Sequence, residues 1–138
     1  MFPPAASNFQ EIIVTTTPYL TASQLHQALS LRDLSDPGQG PHAIQLLLAD
    51  IVEALTAAWG CTSVTVRTPP VVSVRDNYDL LGYNVDDVTR ASRYTRYVSP
   101  TTMLRSHTSA DVPHSLGRYK ARRSVDELIV IPGLVYRR

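Results

Sequence analysis

The sequence has a single cysteine, Cys61, so an internal disulfide is excluded, and no Cys/His spacing resembles a zinc site. A disulfide scaffold and a structural metal are set aside, and a reducing, cytoplasmic setting is expected. Six glycines are spread through 138 residues, and none falls into a phosphate loop of the P-loop or dinucleotide type. No apolar run approaches the length needed to cross a bilayer, and Met1-Phe2-Pro3-Pro4-Ala5 lacks the basic and apolar regions of a secretory leader, so no membrane partner is expected. No internal repeat is visible. With 43% hydrophobic and 18% charged residues, neither disorder nor a fibrous class is implied. One domain with a proper core fits the length.

The formal net charge of +1 conceals an asymmetry, because residues 90 to 138 hold ten of the thirteen Lys and Arg. These cations, interleaved with Tyr94, Tyr97 and Tyr119, can attract polyanions such as RNA or a nucleoside triphosphate. The plain alternative is a solvated basic face, which charge alone favours.

Read along the chain, residues 1 to 10 are an irregular arm, and Glu11 to Thr15 is a short β-prone run ended by Thr17-Pro18. Thr21 precedes Leu25, Ala28, Leu29 and Leu31, as an N-cap precedes a short amphipathic helix that stops before Asp36-Pro37. Residues 34 to 40 concentrate turn formers and read as a linker. Ile44, Leu47, Leu48, Ile51, Val52, Leu55 and Ala58 then recur at three-four spacing, predicting a long helix with Pro41 in its first turn and Gly60 as a left-handed cap. Core packing is expected for most of its apolar face, with any remainder free for an interface.

Beyond Gly60 the period changes to two. Cys61 to Arg67 reads as a strand stopped by Pro69-Pro70, and Val71 to Val74 follows as a second extended run. Residues 76 to 99 show no sustained period and are expected to be loop with short helical turns. Pro113 is expected to interrupt the start of a helix over Val112 to Tyr119. Leu128 to Ile131 reads as a buried strand, Pro132-Gly133 as a turn or bulge, and Leu134 to Arg137 as extended.

Three pieces can carry chemistry. Arg105-Ser106-His107-Thr108-Ser109 places a cation, three hydroxyls and an imidazole within five residues, a set able to hold the ammonium and carboxylate of a small amino acid. The alternative is a capped turn. No nucleophile-elbow glycines surround Ser106 or Ser109, which disfavours a hydrolase. Arg137 and Arg138 end an extended run with guanidiniums whose planar forks match phosphate or carboxylate oxygens, against the alternative of a solvated basic terminus. The long helix is the third.

Taken together, these segments resemble the catalytic core of class II aminoacyl-tRNA synthetases, and in particular the phenylalanyl-tRNA synthetase α chain. Residues 41 to 70, a long helix and then a strand ending at Thr68-Pro69-Pro70, resemble motif 1, which that family uses for dimerisation. Asn77-Tyr78-Asp79 and the following Asp86, Arg90, Thr95 and Tyr97 run parallel to the segment after motif 1. Residues 103 to 109, Met103-Leu104-Arg105-Ser106-His107-Thr108-Ser109, are close to the family's Leu-Leu-Arg-Thr-His-Thr-Ser signature. Residues 128 to 138 are similar to the start of motif 2, where a strand delivers an arginine to the nucleotide.

The resemblance implies an α+β fold with a mixed, mainly antiparallel sheet backed by the motif 1 helix. Residues 1–39 would be an arm and helical lead-in, and residues 40–138 an incomplete synthetase-like catalytic domain. It implies that Arg137 contacts the α-phosphate of ATP, that His107 and Ser109 hold the amino acid's ammonium and carboxylate, and that Thr108 supports them. Tyr97 stands where the family has a tryptophan facing the amino acid. No residue is assigned to a metal; ATP and Mg2+ belong to the complete enzyme, with none held tightly by this piece, and tRNA is its further partner. A homo-oligomer through the motif 1 helix is expected.

The sequence stops before the motif 2 loop and motif 3, so inactivity of the 138-residue piece is expected. The lead-in differs from the family's coiled-coil tRNA-binding arm, which suggests a divergent paralogue whose amino acid and carrier stay open. A non-catalytic interaction module with the same helix, or a basic RNA-binding piece, are the readings from other classes.

Overall fold

The computed structural model describes residues 19–119 and 126–137. The expectations for the N-terminal arm and for Arg138 fall outside these residues.

Helix α1, Ala22–Leu29, starts where Thr21 leaves helical geometry. The Thr21 hydroxyl accepts from Gln24 N–H and the Gln24 side chain accepts from Thr21 N–H, a reciprocal cap worth about 1 kcal/mol. The turn-rich residues 34 to 40 form a built loop. Gln45 Nε2 donates to the carbonyls of Leu34, Asp36 and Gly40, and Arg67 donates to Ser35 and pairs with Asp33.

Helix α2 spans Ala43–Trp59 and ends on Gly60 at φ 62°, the left-handed value that favours glycine. Its start differs from expectation: His42 is the N-cap, its Nδ1 accepting from Ile44 N–H, and Pro41 lies one residue before it. Its apolar face also differs. Leu48, Val52 and Leu55 are half-buried, but no residue of α2 is fully buried, and Ile44, Leu47 and Ile51 stay exposed. Periodicity marks an apolar stripe without specifying how much of it a neighbour covers.

Strand β1, Thr62–Thr65, pairs in parallel with β4, Glu127–Val130, and Val66 N–H extends the ladder to Val130 C=O. β4 is half-buried along its length, not fully buried as its apolar run suggested. Strand β2, Val71–Ser73, pairs antiparallel with β3, Thr102–Leu104, and runs directly into the short helix α3, Val74–Asn77. Among the described residues, pairing is therefore divided between one parallel and one antiparallel ladder. Single bridges from Tyr97 to Tyr19 and to Met103 add to the second. Helix α4, Val112–Tyr119, continues a one-turn 3-10 segment, Thr108–Asp111. Pro113 does not interrupt it: as the helix's second residue, its missing N–H has no intrahelical acceptor to serve.

Ala28 of α1, Leu104 of β3 and Tyr136 form the apolar centre, ringed by Leu20, Leu25, Val98 and Leu134. The lead-in helix thus packs on segments far along the chain. Among the described residues, half of the buried ones are polar: Asn77, Thr95, Arg105, Ser106, Asp111 and Ser115. Burial without partners costs about 1–3 kcal/mol per group, so the hydrogen bonds of this network decide the local geometry. Arg105 is its hub. Nε donates to Leu134 C=O at 2.8 Å, and Nη1 reaches Thr68 Oγ1 at 3.0 Å and Asp111 Oδ2 at 3.2 Å. Gly133 lies over the guanidinium so closely that a Cβ there would stand 1.9 Å from Nη2. Arg105, counted among the ligand-binding groups by its sequence neighbours, is instead a 3% exposed cross-link between three distant segments.

Candidate functional site

A cleft of about 160 Å³ opens beside this hub, lined by Tyr78, Tyr83, Thr89, Tyr94, Thr95, Ser106, His107 and Arg137. Its floor comes from the chain leaving β3, and one wall from the segment leaving β4. Tyr136 N–H donates to Arg105 C=O at 2.9 Å, laying residues 134 to 137 alongside 105 and 106. Arg137 Nε then donates to Ser106 C=O at 3.3 Å. That leaves its Nη groups free of any partner among the described residues.

The opposite wall is aromatic. The His107 ring stacks on Tyr83 with centroids 5.8 Å apart at 11°, and meets Tyr78 edge-on at 6.2 Å. Tyr78 is fully buried. Its hydroxyl donates to Thr89 C=O at 3.0 Å and lies 2.5 Å from the Thr95 hydroxyl, while the Arg90 guanidinium sits 5.0 Å over its ring and pairs with Asp79. These contacts hold a segment without secondary-structure period against the site.

His107 resists protonation. Burial holds its pKa below the ordinary value, and the Arg137 charge lowers it further. The neutral imidazole has Ser109 Oγ 2.9 Å from Nδ1 and Asn77 Nδ2 3.4 Å from Nε2. An acceptor, hydroxyls and a guanidinium thus converge beside apolar ring faces, a set that matches a small zwitterion or its phosphoryl derivative. Among the described residues, no group of three His, Cys, Asp or Glu side chains converges as a metal-holding cluster.

Of the residues singled out from sequence, His107 and Arg137 share the cleft. Ser109 is exposed behind His107, and Thr108 opens the 3-10 turn; neither lines the cleft. Tyr97 does not line it either. Its hydroxyl donates to Arg90 C=O at 2.7 Å, and burial, with Tyr78 nearby, raises its pKa, so it stays neutral. Asn77, Tyr83 and Tyr94 had no assigned role. The signal that points to them is several tyrosines in a polar, aperiodic stretch, since aromatic rings in such a segment need a surface to cover.

Comparison of the sequence with known proteins finds relatives among phenylalanine–tRNA ligases. The chain is 32% identical over 111 residues to the phenylalanine–tRNA ligase alpha subunit of Chlamydia trachomatis serovar D, matching 76% of this chain and 30% of that protein. The alpha subunit of Chlamydia pneumoniae is 30% identical over 108 residues, 78% of this chain and 30% of the relative. The mitochondrial phenylalanine–tRNA ligase of Saccharomyces cerevisiae is 30% identical over 122 residues, 86% of this chain and 25% of the relative. No family model matches the chain. Over about three quarters of its length the chain is homologous to phenylalanine–tRNA ligase alpha subunits, and it spans under a third of those relatives' length.

Proposed function

We propose that this chain carries part of the amino-acid-activating site of a class II aminoacyl-tRNA ligase of the phenylalanyl type. The observation that carries the reading is the meeting of His107 and Arg137 in one tyrosine-lined cleft. Activation of an amino acid joins its carboxylate to the α-phosphate of ATP and releases pyrophosphate. The reaction needs an ammonium held, a carboxylate oriented and charge on the phosphate stabilised.

In this reading neutral His107 takes the ammonium in the cleft, the Ser109 hydroxyl holds the imidazole from behind, and Thr108 sets the turn that follows them. The Nη groups of Arg137 face the α-phosphate, and the tyrosine faces exclude water from the side chain. ATP enters as a substrate with Mg2+ on its phosphates. tRNA is the acceptor in the complete protein, a cytoplasmic, divergent relative of the alpha subunits, within a synthetase-like α+β domain. Residues 40–138 supply this chain's share of that domain, and Tyr97 supports the cleft through Arg90.

Titration of the isotope-labelled chain with L-phenylalanine tests the reading. Resonance shifts confined to His107, Tyr83 and Arg137 are expected; shifts scattered over the surface, or none, would remove it. The exposed stripe Ile44, Leu47 and Ile51 on α2 favours a second role, self-association, whether or not chemistry is retained.

A further inference from the structure

We infer that Asn77 is the positioning residue that fixes which nitrogen of His107 carries the proton, and so whether the cleft offers an acceptor to an ammonium. The inference rests on the amino-acid reading for its ligand, but not for its geometry. Asn77 is 0% exposed, and its orientation follows from what it touches. Its Oδ1 accepts from the buried Ser106 N–H at 3.0 Å, and its Nδ2 donates to Ser106 Oγ at 2.8 Å. Turning the amide over would set its NH2 against Ser106 N–H and orphan a buried donor, a cost of about 1–3 kcal/mol. The amide is therefore fixed with N–H groups toward His107.

Only a donor faces Nε2 from this side, at 3.4 Å, so Nε2 keeps its lone pair and the proton resides on Nδ1. Nδ1–H then donates to Ser109 Oγ at 2.9 Å. Two consequences follow. The long contact from Asn77 is one that a ligand ammonium can displace, so Nε2 is an available acceptor. Ser109, already accepting from the ring, turns its own hydroxyl proton away from the imidazole, so it holds the ring without competing for Nε2. The opposite tautomer would present N–H to N–H at Asn77 and give the ammonium no acceptor.

The test is the 15N chemical shifts of the His107 imidazole in the intact labelled chain. The expected spectrum has a pyrrole-type Nδ1 and a pyridine-type Nε2; a pyrrole-type Nε2 in the unsubstituted chain overturns the inference without any variant. Asn77→Asp keeps an acceptor for Ser106 N–H but replaces the donor with a carboxylate oxygen. It is expected to move the proton to Nε2 and weaken L-phenylalanine binding by about ten-fold or more.

An unchanged tautomer in a folded Asn77→Asp chain also overturns it, and should that variant not fold, the unsubstituted spectrum still decides. The outcomes separate from the amino-acid reading. The expected tautomer with no phenylalanine bound leaves Asn77 in its role and removes the ligand. Phenylalanine bound equally by both chains with one tautomer removes the role of Asn77 and keeps the ligand.

Discussion

Adding one methyl group at Gly133 would disturb both the core and the cleft, and the structure sets its size. A Cβ at 133 meets Arg105 Nη2 at 1.9 Å and Cζ at 3.0 Å, well inside contact distance. The guanidinium has nowhere to retreat, because it is 3% exposed and held by Leu134 C=O, Thr68 and Asp111. Relieving the clash means breaking the Arg105–Asp111 pair, and parting a buried pair costs about 3–5 kcal/mol. Gly133→Ala is therefore expected to lower the thermal midpoint by at least ~10 °C.

Arg105→Met alone should also destabilise, by ~3 kcal/mol, since Asp111 then keeps only the Thr68 hydroxyl. In the Arg105→Met background the new methyl meets a flexible thioether, so the clash part of its cost should disappear. The strain of a side chain at the positive φ of residue 133 remains in both backgrounds. The double-mutant cycle, measured by urea denaturation followed by circular dichroism, should give a coupling of about 2–3 kcal/mol. Additivity within ~0.5 kcal/mol would refute the reasoning, because it would mean the guanidinium does not lie beneath Gly133. The same change should displace residues 134 to 137, and with them Arg137 from Ser106.

Other perturbations act on the site and its surroundings. Because the folded-state pKa of His107 lies below its unfolded value of about 6.5, the unfolded chain takes up the proton first. Stability should be fully present above that pH and decline as pH falls through it toward the folded pKa; thermal midpoints from pH 8 to 5 check this, and His107→Gln should flatten that part of the profile. Arg137→Ala should weaken binding of inorganic pyrophosphate or ATP by about ten-fold, while barely moving the thermal midpoint, as its side chain is exposed. Thr21→Ala should cost about 1 kcal/mol in urea denaturation through loss of the α1 cap. Leu47→Glu should shift any oligomer seen by sedimentation equilibrium toward monomer without unfolding the chain, since Leu47 is 59% exposed.

Helix α2 was legible because its three-four spacing and Gly60 are local signals, and α1 because the Thr21 hydroxyl stands just ahead of the apolar Leu25, Ala28 and Leu29. The covered part of the α2 face was not, since that depends on β1 and on what else approaches. Arg105 misled for a related reason: beside Ser106 and His107 it reads as a ligand-binding cation, yet Thr68 and Leu134, two of the groups it bonds, are tens of residues away. His107 and Arg137 were named from short motifs, and the fold brings them together through one main-chain bond, Tyr136 to Arg105, that no local pattern announces. Asn77 and Tyr83 lay in a stretch without period, where side-chain hydrogen bonds and ring stacking, not a repeating backbone, fix position.

Calorimetric titration with a non-hydrolysable phenylalanyl-adenylate analogue, carried out on the intact chain and on His107→Ala and Arg137→Ala, tests the cleft as one site for amino acid and phosphate together. The account predicts binding to the intact chain, weakened by each substitution. Absence of binding, or binding indifferent to both substitutions, would contradict it.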